Sequence, residues 1–140
     1  LDERFFVLYG DSYLQIDVRS VVDEFERSGA EAMMTVFADP EHPTHNNAAY
    51  RSGRVVRYDK SEPHPLEAGM HHIDYGLSVL RHATVQRLIP SDRPSDLADL
   101  FRTLSRDGRL AGFEAEHRYH EVGSHAGIAA LERHLTGTAP

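Results

Sequence analysis

The chain has 140 residues, of which 40% are hydrophobic, and its formal net charge is -7 with no cysteine. That length suits one domain with a hydrophobic core, so we predict a single domain over residues 1–140. The absence of cysteine excludes disulfides, thiolate metal sites and cysteine nucleophiles. The acidic charge without a basic block argues against nucleic acid as a partner. The lack of a long apolar run or a signal peptide argues against a membrane partner and for a cytoplasmic location.

The first part of the chain predicts two buried strands separated by a helix. Residues 5–8 and 32–38 are apolar runs of the kind found in strands that are covered on both faces. Between them, Asp17 is suited to begin a helix that reaches about Ser28, and Gly29 is suited to end it. Its apolar stripe consists of Val18, Val21, Val22 and Phe25. A strand, a helix and a strand in this length predict a parallel pair joined by a right-handed crossover.

The remainder of the chain predicts loops, strands and helices in alternation. Two long loops are expected at residues 39–52 and 61–69, and such loops are commonly used for binding. The strands predicted from apolar patterns cover residues 54–60, 70–77, 110–114 and 119–122. The predicted helices are a short one within residues 79–89, one that Ser95 begins and Gly108 ends, and a final one after Gly123-Ser124 that turns Ile128, Leu131 and Leu135 inward.

Charged residues follow several of these predicted strands. Asp11 lies in the turn Gly10-Asp11 after the first strand, the pair Asp59-Lys60 ends a later strand, and Glu121 precedes Gly123-Ser124. In open α/β sheets, ligands bind at the edge where strands end. Two carboxylates that meet there form a Mg²⁺ site with room for phosphate oxygens, and a nearby lysine supplies a point charge for another phosphate. Lys60 is the one lysine among 15 basic residues, which chance explains as well as function does.

Four short motifs occur in order along the chain. They are Leu8-Tyr9-Gly10-Asp11, Tyr58-Asp59-Lys60, Ile73-Asp74-Tyr75-Gly76-Leu77 and Tyr119-His120-Glu121-Val122-Gly123-Ser124. Each alone is unspecific, but the four together resemble the sugar-1-phosphate nucleotidyltransferase family. The likeness is greatest to the branch of heptose-1-phosphate guanylyltransferases and N-acetylmuramate-1-phosphate uridylyltransferases. The resemblance spans nearly the whole chain and implies an α/β, Rossmann-like nucleotidyltransferase fold, with a layered, mixed and mostly parallel sheet flanked by helices.

The resemblance also implies roles for individual residues. Asp11 would bind Mg²⁺, with Glu121 as the second ligand. The pair Asp59-Lys60 would contact the sugar phosphate, although the family has Glu where this chain has the shorter Asp59. Asp74 would hold sugar hydroxyls, and Gly76 would let the backbone approach the sugar. The implied catalytic residues are Asp11, Lys60 and Glu121, and the implied substrate-binding residues are Gly10, Asp59, Lys60, Asp74 and Gly76.

The implied reaction transfers a nucleoside monophosphate from a nucleoside triphosphate to a sugar 1-phosphate and releases pyrophosphate, for nucleotide-sugar and cell-surface polysaccharide biosynthesis. Because the sugar phosphate is already a nucleophile at neutral pH, positioning and charge neutralisation with Mg²⁺ suffice. The family's N-terminal Gly-rich loop, with its Arg and later Pro-Lys, does not occur in this sequence. The resemblance therefore concerns the carboxyl-terminal portion, and we expect the chain alone to be inactive. An apolar surface exposed beside the first strand would favour homo-oligomers, while the sequence leaves the oligomeric state open.

Three other interpretations fit parts of the sequence. The ten histidines invite a zinc site, but His71 and His72 point to opposite faces of a strand and no His-Glu-x-x-His pattern occurs. A metal-dependent glycosyltransferase of related fold usually has an Asp-x-Asp motif, which residues 11–13 do not provide. A non-catalytic sugar-phosphate-binding or regulatory module stays open as an alternative. The sequence leaves the base and the sugar unassigned.

Overall fold

The structure, a computed structural model, describes residues 3–90 and 92–137. The strands are Arg4–Leu8 (β1), Ser12–Tyr13 (β2), Ala32–Ala38 (β3), Ala48–Arg51 (β4), Arg54–Tyr58 (β5), His72–Arg81 (β6), Leu110–Glu114 (β7) and His120–Glu121 (β8). The helices are Val18–Ser28 (α1), His82–Leu88 (α2), Leu97–Arg106 (α3) and His125–Thr136 (α4). None of these helices combines the length and apolar character that crossing a membrane requires, within the ranges that the structure describes.

Six strands form one sheet in the order β1-β6-β3-β7-β5-β4, and β4 also pairs with β6. The closing contact joins Ala48 of β4 to His72 of β6, beside a 2.9 Å hydrogen bond from the amide N of Asn47 to the carbonyl of His72. Strands β6, β3, β7, β5 and β4 therefore form a barrel-like ring, and β1 lies outside it on β6. The strands β2 and β8 form a separate antiparallel ribbon.

The prediction of an α/β fold with a mixed sheet is confirmed, but the prediction of a mostly parallel sheet is wrong. Among the strands that the structure describes, β3 and β7 pair in parallel, and the other pairings are antiparallel. β1 and β3 run in the same direction, yet β6 lies between them, so they are not a hydrogen-bonded pair. A continuous apolar run is typical of parallel strands, but an antiparallel strand that helices cover on both faces needs the same residues.

Two clusters of apolar side chains cover the two faces of the sheet, because successive residues of a strand point to opposite faces. In β3, Ala32, Met34 and Val36 belong to the cluster that contains the buried face of α3. Met33 belongs to the other cluster, which contains Phe25 of α1. The sheet is thus sandwiched between α3 and α1, and the ends of its strands remain for other uses.

The predicted ends of the first helix are confirmed. The carboxylate of Asp17 accepts a hydrogen bond from the amide N of Arg19, and Gly29 ends α1 in the left-handed conformation with φ of 62°. The cap of α3 is Asp96 rather than the predicted Ser95. Both caps follow the same physical rule, since a short acidic side chain satisfies an amide that the helix cannot pair.

The prediction that α4 turns its apolar residues inward is wrong. Ile128 is 44% exposed and Leu135 is 60% exposed, and Leu131 is half-buried. The helix contacts β8 of the ribbon rather than a face of the main sheet. Helical spacing correctly indicated a helix here, but it could not indicate whether another part of the protein would pack against the apolar side of that helix.

Two predictions for strands also need correction. β1 was predicted to be covered on both faces, but it is the end strand of the sheet and leaves Phe6 44% and Leu8 60% exposed. The predicted loop at residues 39–52 contains the strand β4 and a short 3-10 helix, Pro43–His45. The second predicted loop, residues 61–69, contains no strand or helix.

Candidate functional site

A cavity of about 200 Å³ lies where several strands of the sheet and the β2–β8 ribbon end. The predicted site residues that line it are Asp11, Lys60, Asp74, Gly76 and Glu121. These residues come from segments that are far apart in the sequence. The architecture therefore brings together five of the seven residues that the sequence singled out.

The carboxylates of Asp11 and Glu121 are neighbours because the ribbon places them side by side. Ser12 lies opposite Glu121 in the pairing of β2 with β8, and the amide N of Val122 donates a 2.7 Å hydrogen bond to the carbonyl of Asp11. A Cβ built at Gly123 would lie 3.5 Å from Glu121 Oε1 and 4.0 Å from Asp11 Oδ2. Both carboxylates are exposed and reach the same spot beside Gly123.

This pair of carboxylates fits the protein ligands of a magnesium ion. Mg²⁺ is commonly bound by one or two carboxylates, with substrate phosphates and waters completing its coordination. No cluster of three or more His, Asp or Glu with metal-binding geometry occurs in the parts of the chain that the structure describes. A metal at Asp11 and Glu121 would therefore depend on a ligand for its remaining contacts.

Asp74 forms the floor of the cavity and is 8% exposed. Its Oδ2 accepts hydrogen bonds from the hydroxyls of Tyr9, at 2.8 Å, and Tyr58, at 3.4 Å, while its Oδ1 accepts one from the amide N of Gly76 at 3.0 Å. Burial raises the pKa of Asp74, opposed by these donors and by the nearby Lys60 ammonium. Burial and the adjacent carboxylate likewise raise the pKa of Tyr9.

Two features require glycine at position 76, namely its backbone conformation and the close approach of Tyr9. Its φ is +96°, which L side chains rarely adopt, and a Cβ there would lie 3.2 Å from Tyr9 Cδ2. The amide N of Tyr9 also donates a 2.9 Å hydrogen bond to the carbonyl of Gly76. The aromatic ring of Tyr9 can therefore lie flat against the backbone beside Asp74 and form one wall of the cavity.

Two of the predicted substrate-binding residues do not line the cavity. The Asp59 carboxylate accepts hydrogen bonds from the amide and hydroxyl of Ser61 and pairs with Arg102 at 3.2 Å. These partners hold it toward α3, whereas its neighbour Lys60 lines the cavity. Gly10 has nothing within 4 Å of the position that a Cβ would take, so no close approach requires a glycine there.

Sequence reasoning assigned no role to two further residues of the cavity wall. Asn47 accepts a 2.9 Å hydrogen bond from the amide N of Asp74 through its Oδ1, and its carbonyl accepts another from the amide N of Asp59. The ring of Tyr119 meets that of Tyr75 edge-on, with 5.7 Å between the centroids. Tyr119 stood in a quoted motif, but Asn47 lay in a predicted loop where nothing distinguished it from its neighbours.

A buried carboxylate beside the cavity holds the segment that carries Tyr119 and Glu121. Asp39 is 1% exposed, and its Oδ1 accepts hydrogen bonds from Arg118, at 3.0 Å, and from the amide N of His42, at 3.2 Å. Burial alone would raise the pKa of Asp39, but the hydrogen bonds from Arg118 and His42 lower it below its ordinary value. Asp39 therefore anchors the start of the β8 segment to the end of β3.

Comparisons with known proteins give a likeness of structure only. No protein-family model and no curated protein matches the chain. A solved structure from Bacillus anthracis, assigned provisionally as a glucose-1-phosphate thymidylyltransferase and crystallised with sucrose, matches with a TM-score of 0.74. The match covers 99% of this chain at 17% sequence identity. At that identity the two proteins share a fold, which is the fold of a protein assigned as a nucleotidyltransferase.

The present chain spans 56% of the length of that protein. The two proteins share an α/β fold with a mixed sheet, and this likeness does not distinguish the branch of the family.

Proposed function

We propose that this chain is the metal- and sugar-phosphate-binding portion of a sugar-1-phosphate nucleotidyltransferase. The observation that carries the proposal is the convergence of Asp11, Lys60, Asp74 and Glu121 on one cavity. These four residues belong to four motifs in separate parts of the chain. The shared fold with a protein assigned as a thymidylyltransferase supports the same reaction class.

In the proposed reaction, an oxygen of the sugar phosphate attacks the α-phosphorus of a nucleoside triphosphate as the bond to pyrophosphate breaks. A Mg²⁺ ion held by Asp11 and Glu121 would supply Lewis-acid charge neutralisation. Lys60 binds the phosphate of the sugar as a point charge, and Asp74 with Asn47 orients the sugar ring. The nucleophile is already ionised at neutral pH, so the site needs no strong general base.

The proposal is tested by titrating the chain with Mn²⁺, as a stand-in for Mg²⁺, in the presence of a sugar 1-phosphate. Asp11→Asn and Glu121→Gln each remove one anionic ligand and should weaken Mn²⁺ binding by at least roughly tenfold. Both side chains are exposed, so the variants should keep the fold. The measurement is isothermal titration calorimetry, or the change in the electron paramagnetic resonance signal of Mn²⁺ on binding.

Matched controls are Asp23→Asn on α1 and Glu132→Gln on α4, which remove exposed carboxylates away from the cavity. These controls should bind Mn²⁺ as the unchanged protein does. Equal loss of Mn²⁺ affinity in the controls would mean that the metal is held by the general negative charge of the protein. No loss in Asp11→Asn would mean that Asp11 does not bind the metal. Either result would contradict the proposed site.

A further inference from the structure

Tyr9 is an aromatic side chain of the cavity wall that is held at both of its ends. Its hydroxyl donates a 2.8 Å hydrogen bond to Asp74 Oδ2, and its backbone amide N donates a 2.9 Å hydrogen bond to the carbonyl of Gly76. Between these two anchors, its Cδ2, Cβ and Cγ atoms would lie 3.2, 3.6 and 3.7 Å from a Cβ at Gly76. The ring therefore has a defined place before any ligand arrives.

The other two tyrosines that line the cavity are less suited to meet a ligand with a fixed ring. Tyr75 is 1% exposed, so little of its ring is open. Tyr119 is half-buried, and the guanidinium of Arg118 lies over its ring, 5.9 Å from the centroid. Within the described residues, the hydroxyl of Tyr119 has no hydrogen bond that would fix the ring. Tyr9 is half-buried and combines an open surface with a fixed orientation.

The polar groups of the cavity lie within reach of a molecule that touches Tyr9. Tyr9 and Asp11 are two residues apart, so their Cα atoms are separated by at most about 7 Å. Lys60 lines the same cavity. One sugar phosphate can therefore contact the ring of Tyr9 while its phosphate faces Lys60 and a metal at Asp11. A sugar ring carries C–H groups on its faces and hydroxyls at its edge, which suits a wall of one aromatic ring and several polar groups.

We infer that the C–H face of the sugar packs on the ring of Tyr9, which makes Tyr9 a specificity-determining residue that selects cyclic sugar phosphates over open-chain polyol phosphates. The inference rests on the proposed function and narrows its substrate class. The ring of Tyr9 fills the space beside Gly76, so on that side the sugar meets the ring and not the backbone. Because the ring is already held in place, little side-chain entropy is lost when the sugar binds.

The test compares pairs of ligands that differ in ring closure. Glucose 1-phosphate is paired with glucitol 1-phosphate, and mannose 1-phosphate with mannitol 1-phosphate, by calorimetric titration with Mg²⁺ present. The cyclic member of each pair should bind the unchanged protein at least about tenfold more tightly than the open-chain member. Equal binding of the two members would overturn the inference and leave the proposed function in place.

Two substitutions of Tyr9 separate the ring from the hydroxyl. Tyr9→Ala removes both and should reduce the preference for the cyclic ligand to within about threefold, through weaker binding of the cyclic member alone. Tyr9→Phe keeps the ring and should retain a preference of at least about fivefold. If Tyr9→Phe loses the preference as fully as Tyr9→Ala does, the hydroxyl and not the ring is responsible, and the inference is overturned.

Tyr13→Ala is the matched control for these substitutions. Tyr13 is 40% exposed on β2 and does not line the cavity. Its replacement should leave the affinity for both members of each pair unchanged. A loss of preference in Tyr13→Ala equal to that in Tyr9→Ala would mean that the effect comes from disturbance of the fold, and would contradict the role given to Tyr9.

A measurement on the unchanged protein decides the matter even if Tyr9→Ala does not fold. Nuclear Overhauser effects should connect the C–H protons of the bound cyclic sugar to the ring protons of Tyr9, whose signals are identified by their loss in Tyr9→Phe. Their absence with the cyclic ligand bound would overturn the inference. If no member of either pair binds, with or without Mg²⁺, the proposed function itself fails and the inference fails with it.

Discussion

Arg118 shows how one side chain can support a binding site that it does not line. It covers the buried Asp39 carboxylate, and its own carbonyl accepts a hydrogen bond from the side chain of Gln15. The next residues along the chain are Tyr119 in the cavity wall and, shortly after, Glu121. Removal of the guanidinium would leave Asp39 in its buried position without a cationic partner.

Arg118→Ala should therefore lower the free energy of unfolding by about 1–3 kcal/mol, because a buried carboxylate loses a charged donor. It should also weaken Mn²⁺ binding, since Glu121 loses the support of its segment. Urea denaturation and Mn²⁺ titration measure the two effects. Arg118→Lys should restore part of each, because it returns the positive charge without the planar guanidinium group.

Arg106→Ala is the matched control for this substitution. Arg106 is on the surface with its side chain 77% exposed, and its ion pair with Asp107 is expected to contribute little. Its replacement should change stability by less than about 0.5 kcal/mol. An Arg118→Ala variant as stable as this control would show that water replaces the guanidinium beside Asp39 without loss.

At the scale of elements, a glycine lets the start of α4 pack directly against the backbone of Glu121. Gly127 lies in the first turn of α4, where its amide N donates to the hydroxyl of the N-cap Ser124. A Cβ at this position would lie 1.9 Å from the carbonyl oxygen of Glu121, far closer than any van der Waals contact permits. The close approach lets α4 follow the ribbon after a very short connection.

Gly127→Ala should be destabilising, although alanine normally favours a helix over glycine by about 1 kcal/mol. The added methyl group must push α4 and Glu121 apart, so Mn²⁺ affinity should fall together with the melting temperature. Ala126→Gly is the control, since it weakens the helix without adding an atom near Glu121. A Gly127→Ala variant that is more stable than the unchanged protein would exclude this close contact.

The elements also show how far sequence reasoning reached. The first helix was predictable because Asp17 and Gly29 act locally, and β3 because six of its seven residues are apolar. The strand β4 was missed since the nearby prolines dominate the local pattern, and its pairing partners are distant in sequence. Strand order was not predictable for the same reason: local periodicity cannot tell which strand lies between β1 and β3.

For the site, the sequence and its resemblance to a family pointed to seven residues, of which five line the cavity: Asp11, Lys60, Asp74, Gly76 and Glu121. Asp11 and Glu121 stood out because Asp11 lies in the turn Gly10-Asp11 and Glu121 lies just before Gly123-Ser124. Asn47 did not, because it reaches the cavity only through the closing contact of the ring between Ala48 and His72. Asp59 does not line the cavity, because α3 supplies Arg102 as a partner that no local pattern reveals, and its predicted contact with the sugar phosphate stays a prediction.

At the scale of the whole molecule, β1 is the least protected part of the sheet. In the described residues it is hydrogen-bonded along one side only, to β6. Phe6 and Leu8 point to the same face and are 44% and 60% exposed. An end strand with unpaired backbone groups and exposed apolar side chains is a template for contact with another chain.

We therefore predict that this chain associates with itself as its concentration rises, and that Phe6→Thr combined with Leu8→Thr reduces the association. Sedimentation velocity over a range of concentrations measures the effect. Val56→Thr is the control, because Val56 is a strand residue that is also 44% exposed. Its strand, β5, is paired on both sides, with β7 and β4, and so offers no free edge. A monomer at every concentration, with or without the substitutions, would contradict the prediction.

The cavity is lined by pieces of chain that unfolding would scatter: Tyr9 after β1, Asn47 before β4, Lys60 after β5, the first part of β6, and the ribbon. A small molecule bound there touches all of them at once and has no comparable site on the unfolded chain. At a hundred times its dissociation constant it would stabilise the native state by about 2.7 kcal/mol. Amide protons throughout the ring, including those remote from the ligand, would then exchange with solvent more slowly. The exchange rate of amides far from the cavity would therefore report whether a ligand is bound.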